Sequence, residues 1–126
     1  MDRTVIATPG APAAIGAYSQ AIRANGFIFV SGQLGIDPVS GKLSAMTPAE
    51  QARQALANIA AILEAAGSGL DRAVKCTVLL DSIGDFADVN AVYAGFFPND
   101  PPARAAYAVG KLPLGALVEI EAIALA

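Results

Sequence analysis

Three ionisable residues sit in unusually apolar surroundings. Arg104 falls within PPARAAYAV, and fifteen positions later Glu119 and Glu121 interrupt the strand-like LVEIEAIAL. An arginine offers a planar fork that can grip a carboxylate through two parallel hydrogen bonds. A strand carboxylate inside a cleft can hold and polarise a water molecule. The ordinary alternatives are a solvent-facing arginine and the polar face of a half-buried strand. Glu119 and Glu121 share one face by the two-residue period, with Val118 and Ile120 on the other, so spacing does not separate their roles. Leu117 and Ile123 fall on the glutamates' own face, which gives it the mixed character of an interfacial cleft.

Four further residues are candidates by type. Tyr18 and Ser31-Gly32 belong to the first hairpin. Serine-glycine after an apolar strand is ordinarily a turn or bulge, but the glycine also allows backbone N–H groups to approach a substrate oxygen. Asn90 lies in a helical stretch, where asparagine is usually exposed or bonded locally. Cys76 shares strand parity with Val74 and Val78 and reads as a packing residue.

Composition narrows the chemistry. The chain has 126 residues and no histidine, which removes Ser-His-Asp and Cys-His machinery, histidine proton shuttles and most transition-metal sites. No metal or cofactor is expected. The net charge of −3 argues against nucleic-acid binding, which needs a basic stripe. One cysteine excludes an internal disulfide and fits a reducing cytoplasm. The opening MDRTVIATPG lacks the apolar core of a secretory signal, and Glu119 and Glu121 cut the C-terminal apolar run short of a membrane span. Hydrophobic residues make up 55% and charged residues 15%, more apolar than a lone small domain needs, so a buried subunit interface is expected.

The elements that must position these residues are readable as one domain over 1–126, without linker or repeat. Strands are predicted at 4–7, 17–24 and 27–32, with Asn25-Gly26 as a tight hairpin turn. FIFV is continuously apolar, as in a strand covered on both faces. GIDPVSGKL is turn chemistry. Thr47 caps a helix with Pro48 at its first position and Glu50 closing a capping box, and Gly67 ends it. A strand follows at 73–80, then a second helix from about Asp85 that the prolines at 98, 101 and 102 break. Strands at 103–109 and 117–125 complete the order. Two helices can cover only one face of such a sheet, so the other must meet another protomer.

The segments APAAIGAYSQA, VSGQLGIDPVSGKL, QARQALANIAAILEAAG, VKCTVLLDSIGDFADVNAVYAGFF, PPARAAYAV and VEIEAIA, in that order, resemble the RidA/YjgF family over essentially the whole chain. The resemblance implies an α+β, chorismate-mutase-like fold: a six-stranded mixed sheet with two helices on one face, assembled as a homotrimer with sites between protomers. It implies hydrolysis of reactive 2-imino acids, enamine/imine products of other enzymes, to 2-oxo acids and ammonia. By the same resemblance Arg104 clamps the substrate carboxylate, Glu119 positions the attacking water, and Tyr18, Ser31, Gly32 and Asn90 shape the cleft. One departure is Ala106, where many members carry a cysteine. A small-carboxylate binder or chaperone-like protein on the same fold is the alternative. An RNA-directed translation inhibitor fits poorly with the acidic charge and missing histidine.

Overall fold

The computed structural model describes residues 2–126. Its strands are β1 (Arg3–Ile6), β2 (Ala21–Ala24), β3 (Phe27–Leu34), β4 (Ala73–Leu80), β5 (Ala103–Ala108) and β6 (Val118–Leu125). The helices are α1 (Pro48–Ala65), between β3 and β4, and α2 (Phe86–Phe96), between β4 and β5. All strands form one sheet in the order β1-β2-β3-β6-β4-β5. Every pairing is antiparallel except β4 with β5, which α2 joins as a parallel crossover. The last strand therefore fills the slot between β3 and β4, which places Glu119 and Glu121 in mid-sheet.

Local chemistry explains most element ends. Asn25 and Gly26 both take positive φ, 52° and 83°, as the tight turn joining β2 to β3 requires. At the start of α1, Thr47 Oγ1 accepts from the Glu50 N–H at 3.3 Å, with Pro48 in the first turn. Only half of the expected capping box forms, because the Glu50 carboxylate turns to Arg53 Nε, 3.4 Å away. At the other end Gly67 adopts a φ of 81°, and Ser68 N–H closes on Leu63 O at 2.8 Å.

The helices share one face of the sheet. Leu56, Ile59, Ile62 and Leu63 of α1 and Val89 and Tyr93 of α2 pack on Ile28, Val30, Cys76, Val78, Leu80, Val118 and Ile120. Each fully buried Leu or Ile is worth about 1.5–3 kcal/mol, so this layer dominates the stability of the chain. The opposite face carries Phe29, Thr77, Leu79, Glu121, Ile123 and Tyr107 in paired rows, and no element of the described chain covers it. Phe29 is 45% exposed there, so FIFV is covered on one face by this chain, not on two as its continuous apolar run suggests. No helix of the described residues is long and apolar enough to cross a membrane.

Two boundaries differ from the sequence reading. Residues 17–20, predicted as the start of the second strand, are irregular, and β2 begins only at Ala21. The reason is Gln20, whose buried carboxamide turns away from the ladder to bond the 8–12 loop. The third strand runs on to Leu34 through a bulge: Val30 pairs with Ala122 and Gln33 with Ile120, three steps on β3 against two on β6. The extra residue lies at Ser31-Gly32.

Candidate functional site

The candidate residues fall into two groups. The first surrounds Arg104. Its strand neighbour in register is Cys76, which is buried beneath the helices, so Arg104 projects to the helix side of the sheet. There its Nη1 donates to Asn90 Oδ1 at 2.7 Å. The guanidinium carbon lies 4.8 Å from the Tyr93 ring centre and 5.2 Å from that of Phe86. Phe86, Asn90 and Tyr93 are spaced four and then three residues apart on α2, so they form one helical stripe. Sequence reading picked out Asn90 but not its two aromatic neighbours. Helical spacing from Asn90 was the available signal.

Cys76 and the Tyr93 hydroxyl, next to this guanidinium, do not ionise readily. Burial pushes the Cys76 thiol above its ordinary range, outweighing the nearby Arg104 charge that acts the other way. Cys76 is thus a packing residue, as its parity suggested. Burial also drives the Tyr93 phenol up, with Cys76 adding to the effect. The Tyr93 hydroxyl is buried without a hydrogen-bond partner, although it lies beside the thiol.

The second group surrounds Glu119 on the open face. Its carboxylate lies against Gly32, where an added Cβ would overlap Oε2. Ser31 ties the bulge to the preceding loop: Ser31 Oγ donates to Ser19 O at 2.6 Å and Ser31 N–H to Gln20 O at 2.9 Å. Tyr18 is the next residue of that loop and is half exposed. The entry to β6 is fixed by Gln51, whose Oε1 accepts from Leu117 N–H at 2.8 Å while Nε2 donates to Ala45 O at 2.9 Å. Glu121 stands two residues along the same face. With Phe29, Lys75, Thr77 and Ile123 it lines a shallow hollow of about 310 Å³. Burial raises the Glu119 pKa above the usual carboxylate range, and repulsion from Glu121 adds to the rise. A carboxylate so placed is a stronger base than a free one.

The two groups do not meet within one chain. Glu119 pairs with Leu79 on the open face, and Leu79 pairs with Tyr107 of β5. Arg104 stands three residues along β5 from Tyr107 and projects through the other face. Strand spacing and rise put the two Cα atoms about 14 Å apart, with the side chains diverging. No single small substrate can touch both within one chain. Strand parity sets Glu119 and Glu121 on one face, but it assigns no face to Arg104, so the separation emerges only from the packing of α2 on β5.

Among the described residues, no cluster of acidic or sulfur ligands suited to a metal ion occurs.

Residues 8–126 match the family model described as Endoribonuclease L-PSP. The chain is 56% identical over 122 residues to the 2-iminobutanoate/2-iminopropanoate deaminase of Bos taurus, covering 97% of this chain and 89% of the relative. It is 55% identical over 118 residues to the RutC family protein y4sK of Sinorhizobium fredii, covering 94% of each. Among solved structures, a putative endoribonuclease L-PSP from Entamoeba histolytica superposes with a TM-score of 0.97 at 49% identity, over 99% of this chain and 100% of that one. Escherichia coli TdcF with bound serine superposes with a TM-score of 0.93 at 38% identity, over 98% of each. With this agreement along nearly its whole length, the chain belongs to the Endoribonuclease L-PSP family, also called the RidA/YjgF family.

Proposed function

We propose that this protein is a 2-imino acid deaminase, hydrolysing 2-iminobutanoate and 2-iminopropanoate to 2-oxo acids and ammonia. The relatives carrying that activity in their names support the reaction class. The observation that carries the reading is the pairing of a charge-free seat around Arg104 with a half-buried, basic Glu119 on the opposite face. Each is half of a site. A second copy on the open face would bring one copy's Arg104 to the other's Glu119. A homotrimer does so three times, with one cleft at each junction. TdcF, a relative crystallised with serine, offers a precedent for an α-carboxylate ligand on this fold.

In this cleft Arg104 clamps the substrate carboxylate and Glu119 holds a water against the imine carbon. Tyr18, Ser31, Gly32 and Asn90 complete the walls. The protonated C=N group is already electrophilic, so no covalent nucleophile is required. Water oxygen bonds to the carbon as Glu119 takes one water proton, giving a neutral carbinolamine. Glu119 returns that proton to nitrogen, the C–N bond breaks, and ammonia leaves. The hydroxyl proton goes with it as ammonium, and the carbonyl forms. Orienting the water and removing its proton supply about 10²–10⁴ in rate from general-base catalysis alone. We assign the protein to the cytoplasm, where the free Cys76 stays reduced.

Ammonia and 2-oxobutanoate release from freshly generated 2-iminobutanoate tests the reading. Turnover above the spontaneous rate, lost in both Arg104→Ala and Glu119→Gln, is the expected result. Binding of 2-oxobutanoate without any acceleration would leave a small-carboxylate binder instead.

A further inference from the structure

Within one chain Arg104 is oriented without being neutralised. Among the described residues the ion pairs are Arg53 with Glu50 and Lys111 with Asp81, so no carboxylate of its own chain meets the Arg104 guanidinium. Three α2 side chains hold it instead. Phe86 and Tyr93 bring ring faces to within 5.2 and 4.8 Å of its central carbon. Aromatic faces attract a cation through their quadrupole and add no net charge. Asn90 Oδ1 accepts one guanidinium N–H at 2.7 Å, which leaves four of the five donors for other partners. An amide oxygen takes that bond much as a carboxylate would. It differs in leaving the positive charge intact.

We infer that Phe86, Asn90 and Tyr93 form a neutral seat that aims Arg104 while reserving its full charge for an anionic ligand. Asn90 is then a positioning residue that acts through Arg104. An aspartate at position 90 would fix the guanidinium equally well and cancel the charge that draws the ligand in. A leucine at position 86 would fill similar space and remove the ring face. This inference rests on Arg104 being the carboxylate clamp, so its test must separate the two ideas.

The stable product 2-oxobutanoate serves as the probe, titrated into the full-length assembled protein by calorimetry, with melting curves for each variant. Phe86→Leu should weaken binding about fivefold, while Phe86→Tyr, which keeps a ring face, should stay within about twofold of the parent. Asn90→Asp should weaken binding about tenfold or more, and the remaining binding should lose most of its dependence on salt. In steady-state assays with 2-iminobutanoate these losses should appear in KM, with kcat little changed. Unaltered binding by Phe86→Leu and Asn90→Asp, with binding lost in Arg104→Ala, would overturn the seat and leave the clamp standing. Unaltered binding by Arg104→Ala would remove the clamp itself and the seat with it. Should Asn90→Asp fail to fold, the comparison of leucine with tyrosine at position 86 decides.

Discussion

The Glu119 carboxylate occupies the space that a side chain on Gly32 would need. Gly32 lies at the β3 bulge, so the extra residue there makes room for the Glu119 carboxylate. In Gly32→Ala the new methyl must displace Glu119, whose flexible side chain can move at modest cost to stability. The expected outcome is a folded enzyme whose kcat falls about tenfold or more, because the water is held in the wrong place. The double variant Gly32→Ala/Glu119→Gln should be no slower than Glu119→Gln alone. Fully additive losses in that cycle would mean that Gly32 acts independently of Glu119.

Glu119 and Glu121 differ in surroundings although they share a face. Glu119 is half-buried and Glu121 is exposed. Glu119→Gln should lower kcat about 10²–10⁴-fold with KM nearly unchanged, while Glu121→Gln keeps most activity. Steady-state kinetics on both variants, with oligomeric mass checked for each, makes the comparison. The reverse outcome would move the water-holding role one step along the strand.

The pH dependence follows from the raised Glu119 pKa. Folding disfavours its ionised form, so this group costs stability above its folded pKa, and that cost disappears as pH falls through it. Activity has the opposite sign, since the base must be ionised, so kcat should drop as pH falls through the same raised pKa. Glu121 contributes to the rise, so Glu121→Gln should carry the acidic limb of the kcat profile to lower pH. A limb that stays in place would show that Glu119 is not the titrating group.

Tyr93 contributes its ring to the Arg104 seat, but its buried hydroxyl has no hydrogen-bond partner. Tyr93→Phe keeps the ring and removes the unpaired group, so stability should hold or rise by about 1 kcal/mol in urea unfolding. A loss of that size would show that the hydroxyl is bonded, with the adjacent Cys76 thiol as its partner.

Much of this architecture is written locally. Asn25-Gly26 names its own turn, Thr47-Pro48 and Gly67 bracket α1, and the alternation of VEIEAIAL separates the buried Val118 and Ile120 from Glu119 and Glu121. The β2 boundary was not legible, because AYSQAIRA has strand composition throughout and only the loop bonds of the Gln20 side chain end the ladder. Nor does ARAAYA reveal which face of β5 meets α2, since small alanines occupy both. The direction of Arg104 is therefore set by packing of α2, and its seat on Phe86 and Tyr93 became visible only with that packing. Residue type and surroundings nominate Arg104, Glu119 and the cleft residues, but their roles come from family resemblance, because periodicity alone does not choose between Glu119 and Glu121.

The central claim is that each site takes Arg104 from one copy and Glu119 from another. Arg104→Ala and Glu119→Gln subunits, each inactive alone, can be mixed in equal amounts by joint refolding or co-expression. In randomly assembled trimers about one quarter of the clefts should join an intact Arg104 to an intact Glu119, and 2-iminobutanoate turnover should recover to about one quarter of the parent value. Recovery near that level would place the site between protomers. Mixed assemblies of the correct trimeric mass that stay as inactive as either parent variant would contradict it.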